Sequence, residues 1–177
     1  EEHKKAIGCY EKAIQIDPNY ATAYSNLGMA FNELGKPQKA KNCYEKAIQI
    51  DPNYATAYNN IGIIFQKSGD YQKAISFFEK SIKLQPNLSS AHNNLGLIFH
   101  KLGDHQSAIK SFEKAIQIKP DYGDAHYNLG KVFKVLGEFK NAINCYEKAT
   151  RYKSEDLIFF YYLSQLRKEV LDSDLKS

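Results

Sequence analysis

The feature that most constrains this 177-residue chain is a repeat with a period of 34 residues. Four prolines lie at this spacing: Pro18, Pro52, Pro86 and Pro120. Residues 9–24 (CYEKAIQIDPNYATAY) recur without change as residues 43–58. A fixed period of this length is typical of stacked modules that each contact their neighbours, and it argues against a single globular core. Any function is therefore expected on the repeated surface.

One repeat, taken as residues 21–54, divides into two helical segments joined by a short turn. Residues 21–33 carry apolar or small side chains at the 3.6-residue period of an amphipathic helix. Gly35 tolerates the positive φ with which helices often end, and Pro37 suits the first turn of a second helix. Pro52 ends that helix, because the residue before a proline disfavours helical backbone. The sequence predicts an all-α solenoid of helix–turn–helix modules.

Small residues are predicted to set the spacing between the two helices. Gly28 and Ala40 lie on facing apolar stripes, where the absence of bulk lets the helices approach closely. Tyr24, Phe31 and Tyr44 supply large apolar surfaces around that contact. Neither helix can bury its stripe alone, so neighbouring modules are expected to complete the core.

The charge distribution indicates neither a nucleic-acid nor a membrane partner. The formal net charge is +4, with 11 Lys/Arg against 9 Asp/Glu in residues 1–88 and 13 against 11 in residues 89–177. Nucleic-acid-binding proteins usually concentrate basic residues on one face. No apolar run approaches the roughly 20 residues that span a bilayer. The charged first residues are in register with the repeat and are not a signal peptide, so the chain is expected to be part of a longer protein.

Three cysteines, Cys9, Cys43 and Cys145, occupy the same place in three modules. Equivalent places in a stack are a module apart, whereas a disulfide needs Cα atoms within roughly 7 Å. Free thiols are therefore expected, and they indicate the cytoplasm or another reducing intracellular compartment.

The repeated pattern resembles the tetratricopeptide repeat. In residues 21–54 the pattern consists of Tyr24, Leu27, Gly28, Phe31, Ala40, Tyr44, Ala47 and Pro52. The next three modules fill these places with Tyr58, Ile61, Gly62, Phe65, Ala74, Phe78, Ser81 and Pro86; with His92, Leu95, Gly96, Phe99, Ala108, Phe112, Ala115 and Pro120; and with His126, Leu129, Gly130, Phe133, Ala142, Tyr146 and Ala149. The resemblance implies a right-handed superhelix in which the first helix of each module lines a concave groove.

The period also divides the chain into segments. We expect the second helix of a truncated repeat at 1–20, complete repeats at 21–54, 55–88, 89–122 and 123–156, a C-terminal capping helix at 157–172 and a tail at 173–177. In the capping helix, Phe160, Leu163 and Ser164 align with Tyr24, Leu27 and Gly28, and Arg167 stands in the place of Phe31.

A second face of the first helices carries one invariant column of asparagines. The column consists of Asn26, Asn60, Asn94 and Asn128. An asparagine amide both donates and accepts hydrogen bonds and can pair with a peptide backbone. A similar column is found in the tetratricopeptide superhelix of O-GlcNAc transferases, so the resemblance implies a peptide-binding ladder. The alternatives are hydrogen bonds between adjacent helices, or a relic of recent duplication.

The predicted peptide-binding set extends beyond this column. It adds Asn59, Asn93, Tyr127, Lys67, Lys101, Lys131 and Lys134. The four lysines would favour an acidic peptide. Tetratricopeptide domains that clamp the C-terminal carboxylates of heat-shock chaperones need further basic residues, and the corresponding places here hold Ser25, Met29, Asn59, Ile63, Ser90 and Asp124. The sequence therefore argues against a chaperone clamp.

The sequence offers no motif for catalysis, a cofactor or a metal. His92 and His126 lie in the apolar stripe, while His100, His105 and His3 are placed on different faces, so core or surface roles are expected for them. Glycine-rich phosphate loops and Ser/His/Asp sets are absent. The protein is therefore predicted not to be an enzyme.

The predicted function is a scaffold that binds an extended segment of a protein in the groove. Two alternatives stay open. One is the substrate-recruiting arm of a larger modifying enzyme, such as a glycosyltransferase, whose catalytic domain lies elsewhere. The other is a self-assembling module, because residues 157–163 (LIFFYYL) are apolar all round and exposed apolar patches mark interaction sites. Phe159, Tyr161 or Tyr162 is then expected to contact another copy or a following domain.

Overall fold

A computed structural model describes residues 2–153 and 157–174 of the protein. Those residues form ten α-helices and no strand: α1 (Glu2–Ile16), α2 (Ala21–Glu33), α3 (Pro37–Ile50), α4 (Ala55–Ser68), α5 (Tyr71–Leu84), α6 (Ser89–Lys101), α7 (His105–Ile118), α8 (Gly123–Val135), α9 (Phe139–Tyr152) and α10 (Leu157–Asp174). The chain divides into two compact units, residues 1–91 and 92–177. Of the helices described, none is both long enough and apolar enough to cross a bilayer.

The turns within modules have the predicted chemistry. Gly35 has a φ of 68°, and the equivalent Gly69, Gly103 and Gly137 also have positive φ angles. Helix α3 begins at Pro37 and ends at Ile50, before Asp51 and Pro52. In the next two modules, Asp70 and Asp104 cap α5 and α7 by accepting hydrogen bonds from the backbone N–H groups of Lys73 and Ser107. The predicted all-α fold of helix–turn–helix modules is confirmed.

The core of the first unit lies between α2, α3 and α4. It is built from Ala40, Tyr44, Ala47, Ala57 and Ile61. A Cβ placed on Gly28 would lie 2.7 Å from Cε1 of Tyr44 and 3.0 Å from the carbonyl oxygen of Ala40. The predicted approach of Gly28 to Ala40 is therefore correct, and the Tyr44 ring fills the space that a side chain at Gly28 would need.

The two identical segments, residues 9–24 and 43–58, adopt the same local structure. Each runs from the end of a second helix, through a turn, into the start of the next first helix. In each turn the aspartate accepts a hydrogen bond from the backbone N–H two residues later, Asn19 to Asp17 and Asn53 to Asp51, both at 2.9 Å. One sequence therefore produces one turn at two successive places in the stack.

Two clusters of buried residues lie in the described part of the second unit. The first contains Ala108, Phe112, Leu129, Val132 and Cys145. The second contains Ala142, Tyr146, Leu163 and Leu166 and fixes α10 to α9. Burial raises the pKa of the Cys145 thiol to about 11, whereas the equivalent Cys9 in the first unit is exposed.

The departures from the family pattern keep the local hydrogen bonding. Tyr58 donates its hydroxyl to the carbonyl oxygen of Pro52 at 3.3 Å. In the equivalent place His126 brings Nε2 to 2.9 Å from the carbonyl oxygen of Pro120. Ser81, fully buried where most modules have alanine, donates its hydroxyl to the carbonyl oxygen of Ala55 at 2.8 Å. The expectation that His126 belongs to the core is confirmed.

The last helix, α10, buries only part of the face that the first helices of complete modules bury. Phe159, Leu163 and Leu166 are buried, whereas Phe160 is 45% exposed and Ser164 is exposed. Phe159, Leu163 and Leu166 stand in the places of Ala125, Leu129 and Val132, which are also buried, so α10 keeps the register of a first helix. Of the aligned Phe160, Leu163 and Ser164, only Leu163 is buried. In complete modules the second helix of the same module lies beside the places of Phe160 and Ser164, as Phe77 of α5 lies beside Tyr58 and Tyr44 of α3 beside Gly28. No second helix follows α10 in the described residues. Helix α10 also continues to Asp174, past the predicted end at residue 172.

Candidate functional site

The asparagine column lies on the first helices of the four complete modules. Asn26 is on α2 and Asn60 on α4 in the first unit, while Asn94 is on α6 and Asn128 on α8 in the second. All four side chains are half-buried, so part of each remains reachable from solvent. Because each amide offers two N–H donors and a carbonyl acceptor, the column has groups that match those of a peptide backbone.

The residues directly before this column point inward. Asn59 is 4% exposed and Asn93 is 5% exposed. Nδ2 of Asn59 donates to Oδ1 of Asn60 at 3.4 Å, and Nδ2 of Asn128 donates to Oδ1 of Asn93 at 3.1 Å. Asn59 and Asn93, both predicted as peptide contacts, therefore lie behind the column, where they can orient its amides.

The hydrogen bond between Asn128 and Asn93 joins α8 to α6. This is the inter-helix bond expected by the alternative explanation of the column. It uses one N–H of the Asn128 amide, and an amide has a second N–H and a carbonyl oxygen besides. A structural role and a ligand-binding role are therefore compatible at Asn128.

Tyr127, another predicted peptide contact, sits in an aromatic cluster. Its ring stacks on Phe159 with 4.6 Å between centroids and lies 5.5 Å from the ring of Tyr162. The ammonium of Lys131 lies 5.7 Å from the centroid of the Tyr127 ring. Tyr127 thus helps to hold α10 in place. Of the three rings of which one was expected to contact another copy or a following domain, Phe159 is buried within the chain.

The predicted lysines differ in exposure. Lys67 and Lys101 are exposed, whereas Lys131 and Lys134 are half-buried. Lys67 also borders an open cleft of about 390 Å³ in the first unit. Its lining is mostly apolar and consists of Asn32, Gly35, Pro37, Ile64, Lys67 and Ser68. Sequence reasoning missed this cleft, because it forms where the turn of one module meets the end of the next module's first helix.

His100 and His105 lie side by side, in contrast to their predicted placement on different faces. Their ring centroids are 5.5 Å apart. His100 is in the last turn of α6 and His105 begins α7, and the turn at Gly103 folds the second helix back against the first. Burial, and then the positive charge of Lys131, lowers the pKa of His100. The spacing of five residues across a glycine turn was the sequence signal for this pair. His3, the other histidine assigned to a separate face, lies in a part of the chain whose side chains are not described.

The repeat pattern is matched by family models along most of the chain. Models of the tetratricopeptide repeat match residues 21–54, 55–88 and 123–156, and another matches residues 77–110. A TPR repeat model matches residues 1–35 and 96–137. The chain belongs to the tetratricopeptide repeat family.

Several solved tetratricopeptide structures are similar to this protein. MamA is 28% identical with a TM-score of 0.69, over 88% of this chain and 91% of MamA. YrrB, described as a TPR protein with an unusual peptide-binding site, is 22% identical with a TM-score of 0.65, over 91% of this chain and 83% of its own.

A chain of the APC/C hetero-tetramer Cut9–Hcn1 has a TM-score of 0.86 at 19% identity, over 95% of this tetratricopeptide chain and 34% of its own. At such low identities, the likeness of this protein to the Cut9–Hcn1 chain and to YrrB concerns the fold. No curated protein sequence matches the chain.

Proposed function

We propose that this tetratricopeptide protein is a non-catalytic scaffold that binds an extended segment of another protein through Asn26, Asn60, Asn94 and Asn128. The observation that carries the proposal is the partial exposure of all four asparagines on the first helices. Each amide can donate to a peptide carbonyl and accept from a peptide N–H. A column of this kind holds a backbone with little regard to the ligand's side chains.

Two of the similar proteins support a protein or peptide partner. YrrB has a peptide-binding site, and Cut9–Hcn1 is an assembly of different chains. The exposed ammonium groups of Lys67 and Lys101 add a preference for acidic segments. Because exposed charges are screened within about 8 Å at physiological ionic strength, this preference should weaken with added salt while the amide contribution persists.

The test measures binding of unrelated extended peptides by fluorescence polarisation, acidic and neutral, for the wild type and for Asn60→Ala/Asn94→Ala. Each lost hydrogen bond is expected to cost about 0.5–1.5 kcal/mol, so all peptides should weaken by similar factors. N-methylation of the peptide backbone removes the N–H groups and should weaken binding to the wild type more than to the variant.

Asn144→Ala is the matched control, because Asn144 is an exposed asparagine on the second-type helix α9. It should leave affinity unchanged. If the double variant binds every peptide like the wild type, the column does not contact ligand. If circular dichroism shows instead that the double variant loses helix, the asparagines serve the fold.

The same column suits the substrate-recruiting arm of a larger modifying enzyme, since it resembles that of O-GlcNAc transferases. Both functions use the same asparagine amides. They differ in whether the full-length protein modifies the bound segment. Mass spectrometry of a peptide incubated with the full-length protein and sugar nucleotides would show such a modification.

A further inference from the structure

The histidine pair at the turn between α6 and α7 has two nitrogen atoms without hydrogen bonds. Nδ1 of His100 and Nδ1 of His105 are both buried and lack a hydrogen-bond partner. The two rings are tilted by 46°, and both side chains are otherwise half-exposed. A neutral imidazole with its proton on Nε2 has a lone pair on Nδ1, so each ring of the pair has a nitrogen that could bind a metal ion.

The distance between the rings matches joint coordination of a metal ion. With a metal–nitrogen bond of about 2.0–2.1 Å, each ring centroid would lie about 3.2 Å from the metal. Two imidazoles at a tetrahedral angle then have centroids about 5.2 Å apart. The observed separation is 5.5 Å, which is close to the separation that shared coordination requires.

We propose that His100 and His105 together bind one divalent transition-metal ion, of the class of Zn²⁺, Ni²⁺ and Cu²⁺, through their Nδ1 atoms. Imidazole nitrogen is a preferred ligand of these ions and a poor one for Mg²⁺ or Ca²⁺. Within the described residues, no group of three or more His, Cys, Asp and Glu side chains could hold a metal. Water would therefore fill the remaining coordination positions, as it does in open zinc sites.

The charges around the pair set the expected strength of the site. Asp104 lies near His105, and its carboxylate already accepts a hydrogen bond from the backbone N–H of Ser107. Lys131 places a positive charge near His100. This ammonium repels a cation, so its removal should strengthen metal binding, an effect that two merely structural histidines would not show.

The pair is particular to this module. In the four complete modules, the place of His100 holds Asn32, Gln66, His100 and Lys134, and the place of His105 holds Pro37, Tyr71, His105 and Phe139. A histidine is thus not needed at either place to form the turn, which all four modules share.

The experiment titrates the whole chain with Zn²⁺ while recording the imidazole ¹⁵N resonances of its histidines. The Nδ1 resonances of His100 and His105 should shift together at one equivalent of Zn²⁺ and stay unchanged with Mg²⁺. Calorimetry should then show weaker Zn²⁺ binding for His105→Asn. Because even outer-shell partners are typically worth about 10- to 100-fold in metal affinity, the loss of a ligand should cost at least about tenfold.

Two further variants keep the outcome clear. Lys131→Gln should bind Zn²⁺ more tightly than the wild type, and His126→Tyr, which removes a core histidine, should bind it equally. The proposal is overturned if the Nδ1 resonances do not move or if only the Nε2 resonances move. It is also overturned if His105→Asn retains the wild-type affinity, since another group, such as a cysteine, would then bind the ion.

Discussion

Nε2 of His126 lies 2.9 Å from the carbonyl oxygen of Pro120, six residues earlier in the chain. Since a carbonyl oxygen can only accept, Nε2 carries the proton and donates it. The ring also lies 5.5 Å from that of Tyr152. The neutral imidazole can make this hydrogen bond. The protonated imidazole would instead place a positive charge in a buried site.

The first prediction concerns the pH dependence of stability. Burial is the main reason why the pKa of His126 falls below 6.5 in the folded protein, with the charge of Lys148 acting in the same direction and the Pro120 hydrogen bond opposing it. Above pH 6.5 both folded and unfolded states have neutral His126. As the pH falls below 6.5 the unfolded state binds the proton first, so the free energy of unfolding should decrease.

Urea denaturation between pH 5 and pH 8 would measure this loss. In His126→Tyr, a tyrosine can donate to Pro120 as Tyr58 does to Pro52, and the pH dependence below 6.5 should be weaker. An equal slope in the wild type and the variant would show that His126 is not responsible.

The second prediction compares two glycines in helices of the first unit. A Cβ at Gly28 would meet the Tyr44 ring at 2.7 Å, whereas a Cβ at Gly8 would meet nothing within 4 Å. Gly28→Ala should therefore destabilise the protein by about 1–3 kcal/mol through overpacking. Gly8→Ala should stabilise it by about 0.5–1 kcal/mol, because alanine suits a helix interior better. Thermal denaturation would measure both, and a shift of the same sign in the two variants would contradict this packing.

How far the sequence predicts the structure depends on what sets each feature. The 34-residue period, the glycine turns and the contact at Gly28 were predictable, because each depends on local chemistry repeated in every module. The burial of Asn59 and Asn93 was not, since a helical period does not say how far a neighbouring helix covers a residue. The exposure of Phe160 and Ser164 was not predictable from their alignment with Tyr24 and Gly28, because cover at those places comes from a second helix.

The third prediction separates the two sides of α10. Phe159 is 3% exposed and stacks on Tyr127, while Tyr161 is 58% exposed. Phe159→Ala should cost about 3–5 kcal/mol if the cavity does not collapse, with the loss of hydrogen-exchange protection concentrated in α10. Tyr161→Ala should change stability by less than about 0.5 kcal/mol.

These variants also sharpen the prediction of self-association. Its contact surface on α10 is now expected at the exposed Leu157, Ile158, Phe160 and Tyr161. Sedimentation of Tyr161→Ala beside the wild type tests this without disturbing the core. A wild type that stays monomeric across micromolar concentrations would exclude self-association.

The fourth prediction concerns the three thiols. Cys9 is exposed, Cys43 is half-buried and Cys145 is buried. Burial raises the pKa of Cys43, and that of Cys145 to about 11, and the thiolate is the reactive form. Iodoacetamide should therefore alkylate Cys9 first and Cys145 last, as read by mass spectrometry of timed digests. Modification of Cys145 at the rate of Cys9 in the folded protein would contradict the packing of α9.

The shared turn of residues 9–24 and 43–58 has a consequence for how such a chain can change in length. If the gene recombines between its two copies, residues 25–58 are removed and residue 24 joins residue 59. The joined sequence is then identical to one that the chain already contains, so the turn, its aspartate hydrogen bond and the start of the next helix are all retained. A stack built in this way can lose or gain a whole module in a single genetic event without creating a junction that has to be accommodated by later mutation.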